Sequence, residues 1–112
     1  MKTTRIGLTS VTAILGVMLL GGAAAAQTGD ARAGARLAES ECAGCHAISA
    51  DMKSKSVDPN APRFIDVAHM SSTTELSLKV FLRSSHKNMP NIELEPEEID
   101  AVAAYILSLR KK

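Results

Sequence analysis

The sequence has 112 residues, a length typical of one domain. Its 13 basic and 12 acidic residues give a net charge near zero, which argues against the strongly basic composition of nucleic-acid-binding proteins. Aromatic residues make up only 3% of the chain and tryptophan is absent, so a domain this small has a sparse core unless a cofactor completes it.

The first 26 residues have the composition of a secretory signal peptide. Lys2 and Arg5 form a positive start, and residues 6–20 carry no charge. Ala24-Ala25-Ala26 then provides the small residues of a cleavage site before Gln27. We therefore expect residues 1–26 to be removed on export.

An uncleaved membrane anchor is the alternative interpretation of this segment. Residues 6–26 carry no charge, and a membrane-spanning helix needs about 20 apolar residues. Threonine, serine and several glycines make the segment a poor membrane helix. Cleavage leaves residues 27–112 as one periplasmic domain without a membrane span, with 11 basic residues against 12 acidic ones because two basic residues leave with the signal.

A first helix is predicted over residues 31–39, with Asp30 as its N-cap. Gly34 interrupts this run of good helix formers. Glycine inside a helix costs about 1 kcal/mol relative to alanine, which indicates a close packing contact at this position. The helix leads towards a cysteine-rich pentapeptide.

The pentapeptide Cys42-Ala43-Gly44-Cys45-His46 has the C-x-x-C-H pattern of covalent c-type haem attachment. The two thiols can add to two vinyl groups on one porphyrin edge, and His46 can then supply an axial nitrogen. A redox dithiol would need a βαβ setting, for which there is no pattern. A zinc site would need a fourth ligand, and His69 and His86 are distant. A disulfide would leave His46 unexplained.

Two loops and a helix follow the pentapeptide. Residues 47–63 contain prolines, serines and aspartates that break any period, and residues 84–91 form a second loop. Between them, Phe64, Ile65 and Val67 form a short apolar patch. Ser72 with Glu75 three residues later predicts a capping box. The helix that it opens has a predicted apolar stripe of Leu76, Val80 and Leu82.

The final helix has the clearest pattern. Pro96 suits its first turn, and the acidic residues that follow complement the positive end of the helix. Its apolar face is formed by Ile99, Val102, Ala103, Ile106 and Leu109. No segment has the alternating pattern of a strand, so the predicted fold class is all-α.

A haem iron bound by His46 has a second axial position. The candidate ligands in the exported chain are Met52, Met70, Met89, His69 and His86. Six residues span at most about 20 Å, too short a reach for Met52 to pass round the ring from His46. Pro90 stiffens the loop that carries Met89, which suits a weak thioether ligand. Met89 is the predicted ligand, with Met70, a histidine or an open site as alternatives.

The sequence resembles the class I c-type cytochromes, small soluble mono-haem electron carriers of bacteria. The resemblance covers residues 30–110 and rests on the order of the pentapeptide, Ala61-Pro62-Arg63-Phe64, Met89-Pro90 and Ala104-Tyr105-Ile106. It implies three or more helices packed around one covalently attached haem c, with His46 and Met89 as axial ligands.

The resemblance also implies contacts around these ligands. The carbonyl of Pro62 would accept a hydrogen bond from the ring of His46, which tunes ligand basicity. Gly34 matches the glycine at which the first and last helices cross, with Tyr105 as its packing partner. Ala38 stands where many members place an aromatic residue.

The expected function is that of a periplasmic cytochrome c carrying single electrons between redox protein partners, as a monomer or within a complex, and not of an enzyme. The alternatives are a cytochrome subunit of a larger dehydrogenase or sulfur-oxidising complex and a gas-binding haem protein. A basic docking patch at the haem rim is predicted from Lys53, Lys55, Arg63, Arg83 and Lys87.

Overall fold

The computed structural model describes Met1, residues 29–84 and residues 89–111. Its helices are α1 (Ala31–Glu41), α2 (Phe64–His69), α3 (Glu75–Leu82) and α4 (Pro96–Ser108), followed by a 3₁₀ turn, Leu109–Lys111. The described part of the chain contains no strand, so the predicted all-α fold class is confirmed. Residues 2–28, which include nearly all of the predicted signal peptide, lie outside the described ranges. Within those ranges, no helix is both long and apolar enough to span a bilayer.

Helix α1 begins as predicted. The Asp30 carboxylate caps the helix by accepting a hydrogen bond from the backbone N–H of Arg32 at 2.9 Å. The helix continues to Glu41, two residues beyond the predicted end.

The backbones of α1 and α4 are in direct contact at Gly34. A Cβ atom there would lie 1.9 Å from the carbonyl oxygen of Ala101 and 2.9 Å from the Cβ of Tyr105. The predicted glycine crossing is therefore present, and one turn later Ala38 is completely buried. Small residues at both positions let the two helices approach this closely.

Helix α4 buries the predicted face. Pro96 occupies its first turn, and the Glu98 carboxylate accepts a hydrogen bond from the backbone N–H of Glu95 at 2.9 Å. The five residues of its predicted apolar face are all buried: Ile99, Val102, Ala103, Ile106 and Leu109.

The predicted start of α3 is wrong by two residues. The N-cap is Thr74, whose hydroxyl accepts from the N–H of Ser77 at 3.0 Å, while the Ser77 hydroxyl accepts from the N–H of Thr74 at 2.8 Å. Serine replaces the expected glutamate in this capping box, because its hydroxyl reaches the same backbone group. Ser72 and Glu75 therefore do not form the cap.

The predicted apolar stripe of α3 is wrong at two of its three residues, since only Leu82 packs against the core. Leu78 is the residue that this helix buries, whereas Leu76 and Val80 are 72% and 61% exposed. Lys79, the neighbour of Leu78, pairs with α4: its ammonium lies 2.9 Å from Asp100 on that helix and 2.7 Å from Glu75 within α3. The contact with α4, which local sequence does not encode, decides which side of α3 faces inwards.

The apolar patch after the first loop forms helix α2. Phe64, Ile65 and Ala68 are buried against α4 and the 3₁₀ turn. Arg110 closes this end of the molecule by donating hydrogen bonds to the carbonyls of Ala68 and Thr73. These bonds satisfy carbonyls at and beyond the end of α2, which would otherwise lack partners.

Candidate cofactor site

A cleft opens where the four helices converge, and it holds roughly 990 Å³ of space that no protein atom fills, including its open mouth. The cleft is lined by Cys42, Cys45, His46, Asp58, Asn60, Ala61, Pro62, Phe64, Val67, Leu78, Phe81, Leu82, Met89, Pro90 and Ile106. The lining is mostly apolar, and all five predicted site residues belong to it.

The two cysteines are carried by the turn that ends α1. The N–H of Cys42 still donates to the carbonyl of Ala38 at 2.9 Å, and the N–H of His46 donates to the carbonyl of Cys42 at 2.9 Å. This extra turn presents both thiols and the imidazole to one cleft. Both cysteines are unpaired, Cys42 buried and Cys45 exposed, so the disulfide alternative is not present.

Burial is the main reason why the pKa of the Cys42 thiol is raised, and the nearby Glu41 carboxylate adds to the effect. At neutral pH, Cys42 therefore remains a neutral thiol. An uncharged sulfur suits an apolar cleft, since a buried thiolate without a cationic partner would be unfavourable.

The ring of His46 is held by two contacts. Its Nδ1 lies 2.7 Å from the carbonyl oxygen of Pro62, and its centroid lies 5.4 Å from that of Phe64 with the planes tilted by 52°. A carbonyl oxygen can only accept, so Nδ1 carries the hydrogen. In the neutral ring, Nε2 then keeps its lone pair, the state that a metal-binding histidine needs. The hydrogen bond implied by the family resemblance is present.

The backbone around His46 is tied to two later segments, the loop at residues 56–58 and the start of α2. The carbonyl of Ala47 accepts from the N–H of Phe64 at 2.9 Å, and the carbonyl of Cys45 accepts from the N–H of Asp58 at 3.1 Å. The Ser56 hydroxyl accepts from the N–H of Ala47 at 3.1 Å. Sequence reasoning missed Ser56 and Asp58, because no local pattern distinguishes them from other polar residues of the loop.

The structure separates the candidates for the second ligand. Met89 lines the same cleft as His46, whereas Met52 and Met70 are more than half exposed and do not line it. His69 points elsewhere, with its Nδ1 lying 2.9 Å from the carbonyl of Ile65. His86 lies outside the described residues. Met89 is thus the described candidate that the fold brings to the site of His46.

The zinc alternative finds no support in the described ranges, where no group of three or more histidine, cysteine or acidic side chains could hold a metal ion. Two thiols, one imidazole nitrogen and an apolar lining instead fit a flat, covalently attached haem. The fit lies in the chemistry of these groups, since thiols can be linked to the porphyrin and an imidazole nitrogen can bind its iron.

The predicted basic patch is smaller than expected. The Arg63 guanidinium is occupied by an ion pair with Asp66 at 2.6 Å, so it is not free for a partner. Lys53, Lys55 and Arg83 are exposed. The fifth member, Lys87, lies outside the described residues.

Comparisons with known proteins agree with this site. A family model described as cytochrome C oxidase, cbb3-type, subunit III matches residues 29–106, which include every residue that lines the cleft. Cytochrome c-552 of Bradyrhizobium diazoefficiens is 38% identical over 81 residues, covering 72% of this chain and 76% of that protein. No solved structure matches the chain significantly. The chain therefore belongs to the cytochrome c family that this model describes, and it is a mono-haem electron carrier.

Proposed function

We propose that the protein works in the periplasm, where it carries single electrons between redox protein partners and catalyses no reaction of its own. The observation that carries the proposal is the common cleft of Cys42, Cys45, His46 and Met89. Local spacing accounts for the first three residues. Met89 reaches them only through the tertiary fold.

Each site residue has a distinct role in this proposal. Cys42 and Cys45 would form the two thioether links to the haem, while His46 through Nε2 and Met89 through its sulfur would bind the iron. When bound, the haem supplies the one-electron chemistry. If His46 and Met89 both bind the iron, no position would be open for a substrate, which argues for a carrier over an oxygen- or gas-binding protein. Histidine–methionine ligation also favours a high reduction potential.

Three buried apolar lining residues shield the inner part of the site from water. Phe64, Leu78 and Ile106 are at most 6% exposed and come from three different helices. A dry, closely packed wall changes little between oxidation states, so little reorganisation accompanies electron transfer. The chain's part is to hold ligands still and to exclude solvent.

Export is part of the proposal, with residues 1–26 as the signal and 27–112 as the cytochrome domain. A contact just after the proposed cleavage site supports this boundary. Gly29 already packs on α4, since a Cβ there would lie 2.0 Å from the carbonyl oxygen of Asp100. Cleavage before Gln27 would leave this contact intact.

A second candidate function is that of a cytochrome subunit within a larger oxidoreductase complex, of the dehydrogenase or sulfur-oxidising type. The observation that favours the subunit class is the family description, which names an oxidase subunit. Purification from native periplasm distinguishes the two, because a subunit co-purifies with a second chain in fixed ratio and a free carrier does not.

Substitution of the methionines tests the ligand assignment. Met89→Ala should remove the sulfur-to-iron absorption band of the oxidised protein and lower its reduction potential, because water or another harder ligand replaces the thioether. Met70→Ala is the matched control and should do neither, since Met70 does not line the cleft. Loss of the band in Met70→Ala, with Met89→Ala unaffected, would reverse the assignment.

A further inference from the structure

Arg63 lies between two backbone groups that hold the site histidine. Immediately before it, the carbonyl of Pro62 accepts from His46 Nδ1, and immediately after it, the N–H of Phe64 donates to the carbonyl of Ala47. Both bonds join the end of a long loop to its beginning. A displacement of Arg63 would therefore move both of its neighbours, Pro62 and Phe64, which bond to His46 and Ala47.

The guanidinium of Arg63 is itself fixed on two sides. Its Nε and Nη2 each donate to one oxygen of the Asp66 carboxylate at 2.6 Å, a bidentate pair within α2. Its Nη1 donates to the carbonyl of Met52 and lies 3.5 Å from that of Ser54. The side chain thus clamps the middle of the loop onto the first turn of α2.

Neither plain stability nor partner docking accounts well for this arrangement. The side chains of Arg63 and Asp66 are 27% and 47% exposed, and ion pairs so accessible to water contribute little to folding. Docking to a partner needs a free cation, but the Arg63 guanidinium is already paired with Asp66. Hydrogen bonding to this carboxylate is also the main reason why the pKa of Arg63 is raised. The contacts point instead towards the loop and the residues beside it.

We infer that Arg63 is a positioning residue for His46: held by Asp66, it keeps the Pro62 carbonyl in place to accept from Nδ1. The inference rests on the proposed role of His46 as an iron ligand. A firmly placed acceptor makes the imidazole a stronger donor, which favours the oxidised state of the iron. Loosening the clamp should therefore weaken this hydrogen bond and raise the reduction potential.

The test compares Arg63→Gln with Lys55→Gln in the haem-loaded protein. Lys55 is an exposed cation of the same loop, with no ion pair among the described residues, so its loss reproduces the charge change alone. In the reduced protein, NMR measures how fast the Nδ1 hydrogen of His46 exchanges with water. We expect exchange about tenfold faster in Arg63→Gln, the factor that corresponds to roughly one hydrogen bond. Lys55→Gln should leave the exchange rate unchanged.

Two further variants separate the clamp from charge and from folding. Arg63→Lys keeps the charge but loses the planar fork, so exchange should lie between the wild-type and Arg63→Gln rates. Asp66→Asn leaves the guanidinium in place and removes its carboxylate, and it should raise both the exchange rate and the potential by less than Arg63→Gln does. The thermal unfolding midpoint should stay nearly constant throughout.

Equal exchange rates in wild type, Arg63→Gln and Asp66→Asn would overturn the inference, as would identical potentials in Arg63→Gln and Lys55→Gln. Failure of the proposed function has a different signature, visible without any substitution. In that case, the unmodified protein would lack haem or would show no iron-bound histidine ring. That result would remove the inference together with the function on which it rests.

Discussion

Tyr105 connects the last helix to the chain just beyond the site histidine. Its hydroxyl donates to the carbonyl of Ile48 at 2.9 Å, and its Cβ faces Gly34 on α1. Partial burial, followed by the negative charge of Glu39, raises the pKa of Tyr105. The hydroxyl therefore stays protonated and remains a donor throughout the neutral range.

Tyr105→Phe should lower the free energy of unfolding at neutral pH by about 1 kcal/mol, the net value of one hydrogen bond. Because the folded-state pKa is raised, this contribution is fully present below about pH 10, the ordinary tyrosine value, and is lost as the pH rises through the folded-state pKa. Denaturant unfolding of both proteins at several pH values measures the difference. A gap that stays constant into strong alkali would contradict this account.

At the level of the helices, the crossing of α1 and α4 organises the fold. Gly29 and Gly34 both meet the backbone of α4, at Asp100 and at Ala101. Backbone atoms cannot rotate aside as side chains can, so the space for a larger residue is absent at both points. Since Cys42 is the C-cap of α1, this crossing also helps to place the turn that carries the two thiols.

Gly34→Ala should therefore destabilise the protein by at least about 2 kcal/mol, because overpacking outweighs the better helix propensity of alanine. Gly44→Ala is the matched control. A Cβ at Gly44 meets no atom within 4 Å, so that variant should unfold at nearly the wild-type denaturant concentration. Equal midpoints for the two variants would show that the crossing tolerates a methyl group.

At the scale of the whole described domain, the first and last parts of the chain are both held by long-range contacts to helices. Gly29 begins the described domain against α4, and Arg110 joins the last turn to the end of α2. Between these ends, all four helices contribute side chains or a terminal turn to one cleft. A domain with so few aromatic residues gains most from filling that cleft with a large apolar cofactor.

The exported protein should have the mass of residues 27–112 plus one haem. The reason is that the proposed cleavage leaves every described contact from Gly29 onwards in place, and that two thiols face one cleft. Intact-mass spectrometry of the periplasmic fraction measures this directly. A mass that retains residues 1–26 would indicate a membrane anchor, and a mass without haem would contradict covalent attachment.

Much of the architecture was predictable from local sequence. Asp30 marked the start of α1, the apolar spacing from Ile99 to Leu109 identified the buried face of α4, and the absence of alternating segments indicated an all-α fold. Each of these features depends on neighbours within one helical turn or on a repeat along one helix. The pentapeptide is equally local, since two intervening residues suffice to present both thiols on one turn.

The orientation of α3 was not predictable in this way. Its sequence has apolar residues on several sides, so more than one stripe is compatible with a 3.6-residue period. Among the described residues, α3 packs against α4 with Leu78 buried and Leu76 exposed, and Lys79 pairs with Asp100 across this contact. The Thr74 cap lacks the usual local signal, because serine stands at the third helical position in place of glutamate or glutamine.

By itself, then, the sequence predicted covalent haem attachment through the pentapeptide, and it determined the fold class and the buried face of the last helix. The tertiary structure decided which nitrogen of His46 carries the hydrogen, because Pro62 lies 16 residues away and its carbonyl can only accept. It also placed Met89 at the cleft and Arg63 across the loop. These arrangements join residues far apart in the chain, and no local period or propensity specifies such pairs.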